Sequence, residues 1–360
     1  MTREPPAPTR SGRGRAVTGR LSWTLLAVLV LAQICYPLTA GQTRARLTVA
    51  TVVLGYLLSV GHALLSRGPR TAAALVAVAM VGGFAIEALG VATGFPFGSY
   101  DYSGELGPKL AGVPLIIPLA WTWMAWPAWL AATRLTGGGP LRDARTPGDG
   151  PGIASGPETG SGPGIASGPE TGSGPGIASG PETGSGPGIA SGPGTGGGPG
   201  SGGDAGGRRG TRFPVRRIAL AAVGLAAWDL FLDPQMVAEG YWVWRDATPA
   251  LPGLPGIPVS NYLGWLLFAV LMMGALRPLA GPAVATTDGR DAPMFALWLW
   301  TYFSSVLAHA VFLDLPASAL WGAAGMSVAA VPLAVTLLRS RRDDRHRPHQ
   351  PQRPGVDATA

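Results

Sequence analysis

The 360-residue chain is 47% hydrophobic and only 13% charged, with a mean hydropathy of +0.26, a balance that excludes an ordinary soluble domain and points to a membrane protein. Its net charge of +7 does not indicate nucleic acid, because the basic residues cluster at the ends of apolar segments. Cys35 is the single cysteine and lies in an apolar run, which excludes a disulfide framework and a Cys-based metal site.

Residues 1–20 are rich in Pro, Arg and Ser and read as a disordered basic tail. The apolar stretch from Leu21 to about Ala40 is too long for the hydrophobic core of a signal peptide and lacks a small-x-small cleavage site, so it is expected to span. Further apolar segments follow at 47–66, 71–93, 111–133, 216–238, 259–276, 293–313 and 316–338. Each is long enough to cross a hydrocarbon core of about 30 Å. The expected fold is therefore all-α: a polytopic bundle of about eight transmembrane helices in two halves, 21–135 and 213–338. Residues 339–360 form a second basic tail expected to be disordered. Of the 27 basic residues, only Arg44, Arg46, Lys109 and Arg245 fall on the outside when the N-terminus is placed inside. That bias sets both termini in the cytoplasm. All basic residues but Lys109 are Arg, and with the abundance of Gly, Ala and Pro this suggests a GC-rich bacterial source.

Between the halves, 136–212 holds about four copies of "GPGIASGPETGS", starting at Gly150. A Gly/Pro/Ser repeat cannot bury a core, so it is expected to be a flexible tether.

Two loops are far richer than connectors need to be. The first is "GFPFGSYDYSGELGPKLAGVP" (Gly94 to Pro114), and the second lies within "WDLFLDPQMVAEGYWVWRDATPALPGLPGIPVSNYLGW" (Trp228 to Trp265). They read as distant copies. An acid near a helix end (Glu87; Asp233) precedes an aromatic stretch (Tyr100-Asp101-Tyr102; Trp242-Val243-Trp244), a "GVP" or "GIP" triplet and a helix with a Trp (Trp121; Trp265). The triplet follows the acid by 25 residues in one unit and 23 in the other. Two helices lie between the units, so they share an orientation and are expected to be parallel repeats around one cavity.

Carboxylates in such helices cost on the order of 2.5–3.5 kcal/mol each even on a lenient scale, so they face the interior, pair or stay protonated. Glu87 sits deep in "AMVGGFAIEALGVATG", and Asp229 and Asp233 are one turn apart on a helix face. Structural hydrogen bonding near a helix end is the plain alternative, and for Asp101 and Glu105 a solvated loop position is as good a reading. Most of the Trp residues (Trp121, Trp123, Trp126, Trp129, Trp298, Trp300) suit an interfacial belt or the core. His62 and His309 are isolated and read as packed helix residues. The absence of HExxH, paired CxxC or a His cluster predicts no metal site, and no Walker loop is present.

An apolar cavity lined by aromatic faces and carboxyl groups suits acid chemistry on an isoprenoid. A carboxyl protonates a trisubstituted alkene, aromatic faces stabilise the tertiary cation by about 2 kcal/mol when dry, and a second carboxylate orients the water that captures it. That is hydration without a cofactor. "GFPFGSYDYSGELGPKLAGVPLIIPLAW", "WDLFLDPQMVAEGYWVW" and "GIPVSNYLGW" together resemble the carotenoid-biosynthesis membrane proteins of bacteria and haloarchaea. The resemblance implies a bacterial multi-pass membrane protein acting on a carotenoid, since characterised members are hydratases of acyclic carotenoid ends. It supplies no catalytic residues. The reading of the residues themselves assigns Asp229, Asp233 and Glu87 to catalysis and Tyr100, Asp101, Tyr102, Trp121, Trp242, Trp244 and Asn261 to the substrate. The expected partners are the carotenoid, the bilayer and other enzymes of the pathway, not nucleic acid. Two rivals stay open: a Mg-dependent prenyltransferase or lycopene elongase, since Asp229-x-x-x-Asp233 resembles a diphosphate-binding Asp motif, and a carotenoid or lipid transporter or scaffold without catalysis.

Overall fold

The computed structural model describes residues 10–137 and 207–346. The expected repeats, most of the tether and the outermost parts of both tails lie outside the described residues. Nine α-helices occur among the described residues: α1 (Arg10–Cys35), α2 (Gly41–Arg67), α3 (Pro69–Leu75), α4 (Gly82–Thr93), α5 (Ile117–Thr136), α6 (Gly207–Ala238), α7 (Val259–Ala280), α8 (Ala292–Leu307) and α9 (Pro316–His346). A π-helical turn, Val76–Val81, joins α3 to α4 in one rod, and another, Ala308–Phe312, extends α8.

Six of the rods are long and apolar enough to cross a membrane, and the fold is an all-α polytopic membrane bundle. The rods built on α5 and α6 are not among the six, because Trp, Pro and carboxylates lower their hydropathy. They are nevertheless at the heart of the packing. Nearly every side chain of α5 is buried, as expected of a helix that is apolar all round. It packs on α2, α6, α8 and α9, and α6 packs in turn on α7 and α9.

Three boundaries differ from the sequence expectation. The fourth span was expected from residue 111, but a hairpin of β2 (Lys109–Leu110) and β3 (Val113–Pro114) occupies that position and α5 begins at Ile117. Ala111 and Gly112 have φ of 48° and 81°, the pair of positive φ values a tight two-residue hairpin turn requires and a helix forbids. The segment 1–20 was expected to be disordered, yet α1 starts at Arg10. No proline follows Pro8 there, so the helix propagates back from its apolar part at one hydrogen bond per residue. The same propagation carries α9 to His346, into the 339–360 tail.

The two rich loops fold alike and meet. In the second, β5 (Ala250–Leu251) and β6 (Leu254–Pro258) form a hairpin through Pro252 and Gly253, the latter at φ +80°, a Pro-Gly turn. Between the loops, β1 (Tyr100–Tyr102) pairs antiparallel with β4 (Trp242–Trp244), Tyr100 opposite Trp244 and Tyr102 opposite Trp242. Ser103 N donates to Tyr241 O at 2.8 Å and Arg245 N to Ser99 O at 2.9 Å, continuing the ladder on both sides. The helices that follow bring Trp121 and Trp265 face to face, ring centroids 3.8 Å apart and planes 16° from parallel. Both contacts join corresponding elements of the two units.

Candidate active site beneath the paired loops

Glu87 lies on α4, eleven residues beyond the start of the π-helical turn, and is buried. Three donors converge on it. Tyr100 Oη and Tyr102 Oη donate to Oε2 at 2.6 and 2.9 Å, and Trp121 Nε1 donates to Oε1 at 3.0 Å. Burial and the adjacent Glu87 carboxyl push both phenols above their ordinary range, so they remain O–H donors at neutral pH.

Asp229 and Asp233 project from one face of α6 and are buried together. Asn261, in the first turn of α7, donates through Nδ2 to Asp229 Oδ2 at 2.9 Å and also to Asp233 Oδ2. One amide thus serves two carboxyls. Oδ1 of Asp229 meets no N–H or O–H donor among the described residues. This pair has a purely local cause. The spacing of four places both acids over one turn, and the "GIP" triplet ends β6 just where α7 presents Asn261.

A cavity of about 30 Å³ joins these groups, with Glu87, Tyr100, Tyr102, Trp121, Asp233, Trp242, Trp244 and Asn261 in its wall. At roughly 10–15 Å³ per water, it has room for two or three water molecules. Among the described residues, no Lys or Arg lines it. Eight of the ten residues singled out from the sequence therefore meet at one place. Asp229 stands behind the wall, connected through Asn261. Asp101 does not join: it points outward and forms an exposed two-pronged ion pair with Arg245, both bonds 2.8 Å. The Arg245 guanidinium holds its carboxyl below the ordinary range. Strand alternation is the reason, since Tyr100 and Tyr102 face inward and the residue between them must face out.

Sequence reasoning did not assign Phe97 or Trp265 to the site. Phe97 is buried in the wall with its ring against Gly90 and Gly264, and Trp265 lines the cavity stacked on Trp121. The correspondence of Trp265 with Trp121 in the two units was the available signal. Among the described residues, no group of three or more His, Cys, Asp or Glu could hold a metal ion. Trp126 and Trp129 belong to the core, their indoles donating to His62 Nδ1 and Val284 O. His309 is buried between Gln235 and Ser318.

Neither the curated proteins nor the solved structures yield a match to this chain. The family described as "Carotenoid biosynthesis protein" matches it over residues 47–146 and 205–336, which include every residue of the cavity wall. This multi-pass membrane protein belongs to the carotenoid biosynthesis protein family.

Proposed function

We propose that the protein hydrates the terminal C=C bond of an acyclic carotenoid end group in a bacterial cytoplasmic membrane, with both termini cytoplasmic and no organic cofactor. The observation that carries this reading is the Asp229–Asn261–Asp233 cluster at the wall of a water-sized, aromatic cavity without a cation. In this reading the Asp229–Asp233 pair, bridged by Asn261, shares one proton. In the reaction Asp233, which faces the cavity, gives a proton to the less substituted alkene carbon. The tertiary cation that results is met by the faces of Trp242, Trp244 and Tyr102. Glu87, with the Tyr100 and Tyr102 hydroxyls, orients the water whose oxygen forms the new C–O bond. The proton that water releases restores the Asp233 carboxyl, so the sum is addition of one H₂O.

The cavity has room for the water but not for a five-carbon end, so its wall opens to admit the alkene. The partners in this reading are the carotenoid, the bilayer and other enzymes of the pathway. Prenyl transfer is disfavoured by the lack of Lys or Arg to hold a diphosphate in the cavity.

The test is co-expression in a lycopene-producing bacterium with mass spectrometry of the pigments. Gain of one water per modified end, lost by at least a hundredfold in Asp233→Asn with membrane insertion intact, is the expected result. Gain of a C5 unit would replace hydration with prenyl transfer. Unchanged pigment, with lycopene and with a longer prenylated precursor, would leave binding or transport as the function.

A further inference from the structure

A second and larger cavity, about 110 Å³, lies along α6 beside the carboxyl cluster, with Leu232 the residue common to both walls. Its floor is formed by Trp123, Trp228 and Phe231, and its mouth by half-buried Pro37, Ser304 and Leu313. For scale, an apolar cavity of roughly 150 Å³ admits a six-carbon ring. This one fits a branched end of about that size.

Its lining is not purely apolar. Thr51 and Thr301 are more than nine-tenths buried in the wall, and the hydroxyl of each is without a hydrogen-bond partner among the described residues. A threonine in a helix ordinarily turns its hydroxyl onto the carbonyl one turn back, as Thr48, Thr122 and Thr136 do here. These two make no such bond, which leaves two unpaired hydroxyls in the wall of the cavity, where a ligand oxygen could satisfy them. Tyr36 adds a phenol to the lining. Among the described residues, no Asp, Glu, Lys, Arg or His lines the cavity. A charged group entering it would be desolvated without a counter-ion.

We propose that this cavity is a binding site for the end of a neutral isoprenoid that carries a hydroxyl, separate from the carboxyl cluster: apolar walls take the branched carbons, and Thr51 and Thr301 take the oxygen. The assignment stands on the lining alone and does not depend on hydration at the carboxyl cluster.

The experiment uses the full chain in detergent and follows the tryptophan fluorescence of the floor during titration with farnesol, with the hydrocarbon farnesene and with farnesyl diphosphate. Farnesol is expected to give a saturable change at a concentration at least tenfold below either comparator. The double variant Thr51→Val/Thr301→Val keeps the shape and removes the two unpaired hydroxyls, so it folds with an unchanged or higher Tm and loses at least tenfold in farnesol affinity. No saturable change with farnesol, an equal response to farnesene, or undiminished affinity in the folded double variant overturns the proposal, leaving the cavity a water-filled space. None of these readouts involves pigment turnover, so failure here and failure of the hydratase reading are distinct.

Discussion

Three donors on one carboxyl make Glu87 the most constrained acid among the described residues. The Trp121 N–H can only donate, whereas the Tyr100 and Tyr102 hydroxyls can also accept. Glu87→Gln can therefore keep its oxygen on Trp121 and turn its amide toward the phenols. Glu87→Leu strands all three donors, each costing about 1–3 kcal/mol when buried and unpaired. The expected result is a small loss of stability for Gln, within about 1.5 kcal/mol, and a loss of several kcal/mol for Leu, read as denaturation of the purified protein in detergent. Equal loss in both would show that the charge, not the hydrogen bonding, is what the pocket requires. The prominence of Glu87, Asp229 and Asp233 was legible in the sequence because a carboxyl inside an apolar helix needs a reason to be there. Asn261 was legible through its place just after the "GIP" triplet. Phe97 was not, because its role comes from fitting between Gly90 of α4 and Gly264 of α7, a proximity that no local pattern encodes. Asp101 was misplaced because composition gives a loop's polarity without its side-chain direction, which the β1–β4 pairing decides.

Helices in this bundle approach each other where glycine lets a ring lie against backbone. A Cβ at Gly90 would fall 2.8 Å from Phe97 Cδ2 and 2.9 Å from Tyr100 Oη. Both neighbours are buried, so neither can withdraw freely. Gly90→Ala would favour the helix by about 1 kcal/mol on propensity alone, but overpacking of this kind costs about 1–3 kcal/mol, and the Tyr100 bond to Glu87 is the first contact to give. The variant is expected to insert normally and to lose at least tenfold in turnover, with lower Tm as the accompanying sign. Retention of full turnover would show that the Tyr100–Glu87 bond is dispensable. Element positions were largely readable, since each long rod follows an apolar run. The start of α5 was not, because Leu110 to Ile117 is apolar whether it folds as hairpin or helix. The left-handed pair Ala111–Gly112 settles it, and of those two only the glycine advertises its conformation.

At the scale of the whole molecule, the two halves are joined by contacts that the tether does not supply. At one end β1 pairs with β4, and Arg44 of α2 pairs with Glu239 just after α6. At the other, Arg67 of α2 grips both oxygens of buried Asp291, at 2.8 and 2.6 Å. His62 accepts from Trp126 at Nδ1 and so donates from Nε2 to Arg290 O. The seam between α5 and α6 is closed by Arg217, whose Nε donates to Thr136 Oγ1 at 3.0 Å and whose Nη1 donates to Ala285 O at 2.8 Å. All these bonds except that of Arg44, three residues before the first matched segment, lie within the segments the family shares, while the repeats fall in the unmatched stretch between 146 and 205. Removing residues 150–197 would leave 21 residues between Gly137 and Gly207, a reach of roughly 70 Å when extended. α6 itself rises only about 15 Å from Gly207 to Arg217, so the shortened connection still spans. The deletion is expected to leave the pigment product unchanged and Tm within about 2 °C, because changing the length of a long connection alters its closure entropy only slowly, by about 0.6 kcal/mol per doubling. A tenfold fall in product with Tm preserved would instead make the repeats a recognition element, since a tether that only connects has no other way to act on turnover.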